Sequence, residues 1–173
     1  MNDENFVSDP LLAEYLKLYL SLLREYFGDS LVSVCLFGSV ARGEHVEGSD
    51  IDMLVVVKEL KEDIGWRLEV SSNLKRIFRS RTLGLRRKLR ERKLPTTISD
   101  ILLTPEEISR HPPIILDLTV EGKMLFDREN FLSNELERVK ERLKELGARR
   151  VKSKSGWYWI LKPGAKLGEV IKI

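Results

Sequence analysis

The residues best equipped for chemistry lie in one stretch, Gly38-Ser39-Val40-Ala41-Arg42-Gly43-Glu44-His45-Val46-Glu47-Gly48-Ser49-Asp50-Ile51-Asp52. Gly38 and Ser39 follow an apolar run where the chain must turn. With no Cβ at position 38, backbone N–H groups and the Ser39 hydroxyl can face an anion such as a phosphate. Asp50 and Asp52 stand two apart at the start of a second apolar run. On a strand rising about 3.3 Å per residue they emerge on one face, with Cα atoms roughly 6–7 Å apart. Two carboxylates so placed repel each other and resist desolvation unless a cation lies between them. Mg²⁺, an oxygen-seeking ion held by one or two carboxylates plus substrate phosphates, satisfies both, and a nucleoside triphosphate brings its own phosphates. Two such ions about 3.5–4 Å apart can activate an attacking oxygen and stabilise a leaving pyrophosphate.

The flanking sequence supplies elements to position these groups. Residues 9–26 carry apolar side chains at spacings of three and four, with Asp9 as N-cap and Pro10 at the first helical position, which predicts an amphipathic helix. Residues 31–37 are short, β-branched and apolar on both faces, as a central strand requires, and residues 50–57 predict a second. Residues 64–92 read as helical with a break near Gly84, ended by Leu94-Pro95. Residues 96–103 predict a third strand, and Thr104-Pro105 a helix start. Residues 114–118 fit helix or strand equally. A clear amphipathic helix over 130–146 ends at Gly147, and the tail around Trp157-Tyr158-Trp159 reads as a hairpin or extended appendage. In that tail, packing of alternate rings against a core is favoured over stacking on bases. The order of elements predicts an α/β (α+β) fold, a mixed sheet flanked by helices, with a core domain over 1–128 and a small helix-plus-β appendage over 129–173.

At 173 residues, 42% apolar and 33% charged, the chain suits a single folded core and excludes a wholly disordered protein. One cysteine, Cys35, excludes an internal disulfide framework and reads as a small buried apolar residue. The apolar runs are far too short for a membrane helix and the acidic start at residues 1–4 is unlike a signal peptide, so a cytoplasmic protein is expected. The net charge of +3 conceals an asymmetry. Residues 74–93 hold ten bases against the single acid Glu91, a net of +9, which leaves −6 for the remainder. A solvated helix face would account for the run; RNA or an acidic protein would exploit it.

The pattern Gly38-Ser39-x-x-Arg42-Gly43, followed by Ser49-Asp50-Ile51-Asp52 and an apolar strand, resembles the signature of the DNA polymerase β-like nucleotidyltransferase superfamily, most of all its minimal (MNT-type) members in archaea and bacteria. The resemblance implies that Gly38, Ser39, Arg42 and Ser49 serve the nucleotide and that Asp50 and Asp52 bind divalent metal, Mg²⁺ or Mn²⁺. It further implies a third carboxylate on a neighbouring strand. Asp100, a charge inside an otherwise apolar run, is the preferred candidate for that metal-binding and catalytic role, with Asp117 as the alternative. Arg42 has a competing reading as an ion-pair partner of Glu44 or Glu47. His45 and His111 have no companion at metal-ligand spacing and are assigned no role. The implied activity is metal-dependent transfer of a nucleoside monophosphate, AMP from ATP, to an acceptor hydroxyl with release of pyrophosphate. By the same resemblance the acceptor is a HEPN-domain toxin and the chain its antitoxin, alone or as an oligomer. The alternative is a catalytically weak module that binds nucleotide, or RNA through the basic stretch.

Overall fold

Asp9 begins the first helix as its position predicts: its carboxylate accepts the N–H groups of Leu11 and Leu12 at 2.9 and 3.2 Å, and Pro10 needs no such partner. The computed structural model describes residues 6–153, 156–166 and 168–173; the acidic start at 1–4 and Lys154 lie outside them. Helix α1 (Pro10–Phe27) buries Leu12, Leu16, Tyr19 and Leu23 on one stripe and stops at Gly28. Strand β1 (Leu31–Phe37), the short helix α2 (Gly38–Arg42) and strand β2 (Asp50–Val57) follow. The helical run folds as α3 (Ile64–Arg81) and α4 (Leu83–Glu91), parted at Thr82, two positions from Gly84, where the sequence predicts a nearby break. The Thr82 hydroxyl donates to the Phe78 carbonyl at 2.6 Å, closing the last turn of α3. Strand β3 (Thr97–Leu103) leads through a Thr104–Glu107 capping box into α5 (Pro105–Ile108). The ambiguous run is helical, α6 (Ile114–Glu121), and precedes β4 (Lys123–Asp127), α7 (Phe131–Glu145) and the strand pair β5 (Arg149–Ser153) and β6 (Gly156–Ile160).

The four-stranded sheet runs β3-β2-β1-β4, with β2 and β3 parallel and the other pairs antiparallel. This is the mixed sheet flanked by helices that the sequence predicts. One face carries Leu36, Ile51, Met53, Val55, Ile98 and Leu102 against α1, α3 and α4. The other carries Cys35, Leu54 and Val56 against α6 and α7, where Leu118, Leu132, Leu136 and Val139 close the second layer. Burying each large side chain contributes about 1.5–3 kcal/mol, so the two layers together fix the register of the central strands.

Helix α7 shares that second layer with the sheet, and Trp159, Leu161 and Ile173 pack on its margin. Trp159 is tucked in while Trp157 and Tyr158 are exposed. His111 takes a structural place, its Nδ1 at 2.9 Å from the Ile173 carbonyl. Among the described residues no helix is long and apolar enough to cross a membrane.

Candidate active site

Asp50 and Asp52 open β2, and the antiparallel register sets Asp52 opposite Phe37, the residue before the Gly38 turn. Gly38 has φ +73, and a Cβ built there would lie 2.4 Å from Asp52 Oδ2. Only glycine tolerates both the left-handed backbone and that approach. The turn and Asp52 are thus in contact, 14 positions apart in sequence. Asp50 is exposed and Asp52 half-buried. Burial pushes the Asp52 carboxyl above its usual value; a Ser99 hydrogen bond opposes this, and the charges of Asp50 and Glu121 add to the rise. Among the described residues neither acid has an ion pair. Two same-face carboxylates without a cationic side chain between them, beside a turn that holds Ser39, are a donor set suited to an oxygen-seeking divalent cation.

Glu121, at the end of α6, organises the other side of the turn. Its Oε1 accepts the Gly38 N–H at 3.1 Å, and its Oε2 accepts from Arg42 at 2.7 Å and from Arg150 of β5 at 2.9 Å. The carboxylate is only 5% exposed. Burial pushes its pKa up, but the bonds from Arg42 and Arg150 outweigh that and hold it below the ordinary value. One carboxylate therefore ties α2, α6 and the β5–β6 pair around position 38. Sequence reasoning passed over both Glu121 and Arg150; the one available signal was that Asp117 and Glu121 lie four apart, on one side of a helix if that run is helical. Arg42 also meets Glu44 at 2.7 Å, so its ion-pair reading is realised, while Glu47 goes instead to Lys93 at 3.4 Å.

The remaining candidates separate. In the parallel β2–β3 ladder Asp50 pairs with Thr97, Asp52 with Ser99 and Met53 with Asp100. Side chains alternate along a strand, so Asp100 shares its face with Met53 and points away from the acid pair. It is fully enclosed, accepting from Tyr19 at 2.8 Å and Ser71 at 2.6 Å and pairing with Lys75 at 2.9 Å. The expectation that Asp100 completes the metal site is therefore corrected: this acid holds α1 and α3 onto β3. Asp117 does not take its place, since it accepts the Trp159 indole N–H at 3.0 Å and pairs with Arg150 at 3.1 Å. Among the described residues no group of three His, Cys, Asp or Glu side chains is arranged to hold a metal ion. Ser99 occupies the place beside Asp52. Gly38 gives its N–H to Glu121, whereas the Ser39 side chain makes no hydrogen bond to a described residue. Ser49 Oγ accepts the Val46 N–H at 2.9 Å and shapes the loop that leads into Asp50.

A glycine–serine turn thus stands against Asp52 at one end of a mixed sheet, with Asp50 two positions away on the same strand. The nucleotidyltransferase domain family matches residues 16–166, and the chain belongs to that family. It is 34% identical over 142 residues, 81% of its own length and 88% of the relative's, to a Methanocaldococcus jannaschii protein that bears the name "putative protein adenylyltransferase". A second protein of that organism with the same descriptive name is 41% identical over 49 residues, 28% of this chain and 50% of the relative. Among solved structures, a toxin–antitoxin crystal structure with AMP-PNP aligns at a TM-score of 0.46 and 20% identity, covering 76% of this chain and 91% of that one, a likeness too distant to assign a function. The chain is thus a nucleotidyltransferase.

Proposed function

We propose that the protein transfers AMP from ATP to a hydroxyl group of another protein, using a divalent cation held by Asp50 and Asp52. The observation that supports this best is the contact of the Gly38 turn with Asp52, which brings a glycine–serine turn beside two carboxylates that have no ion pair among the described residues. The name of the 34% identical relative supports ATP as donor and protein as acceptor. Mg²⁺ or Mn²⁺, when bound, would neutralise charge on the triphosphate and on the departing pyrophosphate. The chain's own groups divide the remaining work. Ser39 offers its hydroxyl to the phosphates. Glu121, clamped by Arg42 and Arg150, holds the turn at the height of Asp52, and Ser99 steadies that carboxylate. The acceptor oxygen forms a bond to the α-phosphorus as the α–β bridge breaks; pyrophosphate leaves and the hydroxyl proton passes to water. The HEPN-domain toxin expected from the sequence resemblance is the first acceptor to try.

The test is incubation with α-phosphate-labelled ATP, Mg²⁺ and a purified HEPN-domain protein. Covalent label on the acceptor, lost with a chelator and in Asp50→Asn or Asp52→Asn, is the expected result. Label that survives both substitutions overturns the site, and ATP binding without any protein labelling overturns the acceptor class.

A further inference from the structure

The basic segment does not form a uniform solvated face. Several of its charges are neutralised: Lys75 by Asp100, Arg81 by Glu25, Arg92 by Asp9 and Lys93 by Glu47. Arg76, Arg79 and Arg90 form no ion pair with a described residue, and all three are exposed. Arg76 and Arg79 line a cavity of about 450 Å³ whose opposite wall is Thr97 and Ile98, at the start of β3. Arg90 lines an adjoining cavity of about 380 Å³ that contains the same Thr97 together with Ser49. Thr97 is the strand neighbour of Asp50, so the uncompensated cations border the end of the sheet where the acid pair lies.

Further along, the character of this edge changes. A third cavity, of about 470 Å³, lies between the first turns of α3 and the end of β3, with Ile64, Leu68 and Ile101 on its walls. These side chains are exposed, Ile64 by 73% and Leu68 by 66%. β3 is an edge strand of the sheet, and among the described residues no strand pairs with its outer side. The cavities follow one another along the seven residues of β3, about 20 Å, the one with Ile64, Leu68 and Ile101 at one end and those with Arg76, Arg79 and Arg90 at the end beside Asp50, and we treat them as one groove. Exposed apolar side chains beside an open strand edge suit an extended polypeptide. A nucleic-acid strand would use the arginines and leave the apolar end uncovered.

We infer that the groove between α3 and the outer edge of β3 docks an extended segment of the acceptor protein, with apolar residues seated at Ile64, Leu68 and Ile101 and acidic residues at Arg76, Arg79 and Arg90, so that the hydroxyl to be modified arrives at Asp50. The inference deepens the reading of this chain as a protein-modifying nucleotidyltransferase and rests on it, but docking is measurable without transfer.

The probe is a fluorescein-labelled model peptide of about ten residues, leucine-rich at one end, glutamate-rich in the middle and ending in tyrosine. Fluorescence anisotropy is followed with the wild type, with the triple variant Arg76→Glu, Arg79→Glu, Arg90→Glu, and with Leu68→Ser. Wild-type binding should weaken with added salt, fall about tenfold or more in the triple variant and several-fold in Leu68→Ser. Both variants should keep the wild-type melting temperature and nucleotide affinity, since these side chains are exposed. Equal binding by all three proteins, or none by the wild type, overturns the inference. So does tighter binding of single-stranded oligouridylate than of the peptide, with loss in the triple variant and none in Leu68→Ser, which would make the edge a nucleic-acid surface. Peptide that binds as expected but is not labelled from α-labelled ATP supports docking and counts against protein modification instead.

Discussion

Replacement of Asp100 by asparagine distinguishes its place in the core from a role at the metal. Its carboxylate has no exposure and three partners: Tyr19 on one oxygen, Ser71 and Lys75 on the other. Asparagine keeps the shape. Its amide oxygen can still accept from Ser71 and its amide nitrogen can donate to the Tyr19 oxygen, so the main loss is the charge opposite Lys75. Removing one member of a buried pair costs roughly 3–5 kcal/mol. Lys75 is 28% exposed and can reach water, which places the loss near the lower limit, about 3 kcal/mol. For a chain of this size each kcal/mol shifts the melting temperature by roughly 2–4 °C, so Asp100→Asn should melt about 6–12 °C below wild type by circular dichroism. Below its melting temperature it should bind ATP and metal as the wild type does. An unchanged melting temperature with lost metal-dependent ATP binding would refute the reasoning and return Asp100 to the active site.

Gly38→Ala should fold, with a loss of about 1–2 kcal/mol for a left-handed residue bearing a Cβ. It should also lower the transfer rate by about a hundredfold, because the methyl group displaces the Asp52 carboxylate. Undiminished single-turnover transfer in this variant would contradict the proposed contact. Glu121→Gln should cost about 2–3 kcal/mol at neutral pH by denaturant titration, since two arginines lose their shared carboxylate. Because Glu121 titrates below its unfolded value of about 4.3, its contribution is present above that pH and fades as pH falls through the lower folded value. The gap between wild type and Glu121→Gln should therefore close in acid, and a gap independent of pH would argue against the charge. Asp52 has the opposite sign. Its raised pKa means that ionisation is disfavoured on folding, so metal-free Asp52→Asn should be more stable than wild type at pH 7, and a lower melting temperature in the presence of chelator would contradict this.

The local patterns around the site were legible because they depend on neighbouring residues alone. Asp9-Pro10, the 31–37 and 50–57 strands and the Thr104 cap all report short-range geometry, and the structure realises each of them. The two-residue spacing of Asp50 and Asp52 likewise fixes a shared face on any strand. Asp100 shows where such reasoning fails. Its chemical oddity in an apolar run is real, but the face it occupies depends on strand register, and a shift of one position exchanges Asp100 for Ser99 beside Asp52. The groups that satisfy it, Tyr19 and Ser71, lie 81 and 29 positions away. Glu121 and Arg150 escaped for the same reason: beyond the four-residue spacing of Asp117 and Glu121, their meaning comes from a meeting of α6 and β5 at Gly38 that no local pattern encodes.

The most direct test of the acid pair is a calorimetric titration with a non-hydrolysable ATP analogue in the presence and absence of Mn²⁺, comparing wild type with Asp50→Asn and Asp52→Asn. Cation-dependent binding by the wild type, weakened about a hundredfold or more in each variant while both stay folded, is the predicted result. Equal affinity in all three proteins, or binding indifferent to the cation, would contradict the placement of the ion and the triphosphate between Asp50, Asp52 and the Gly38 turn.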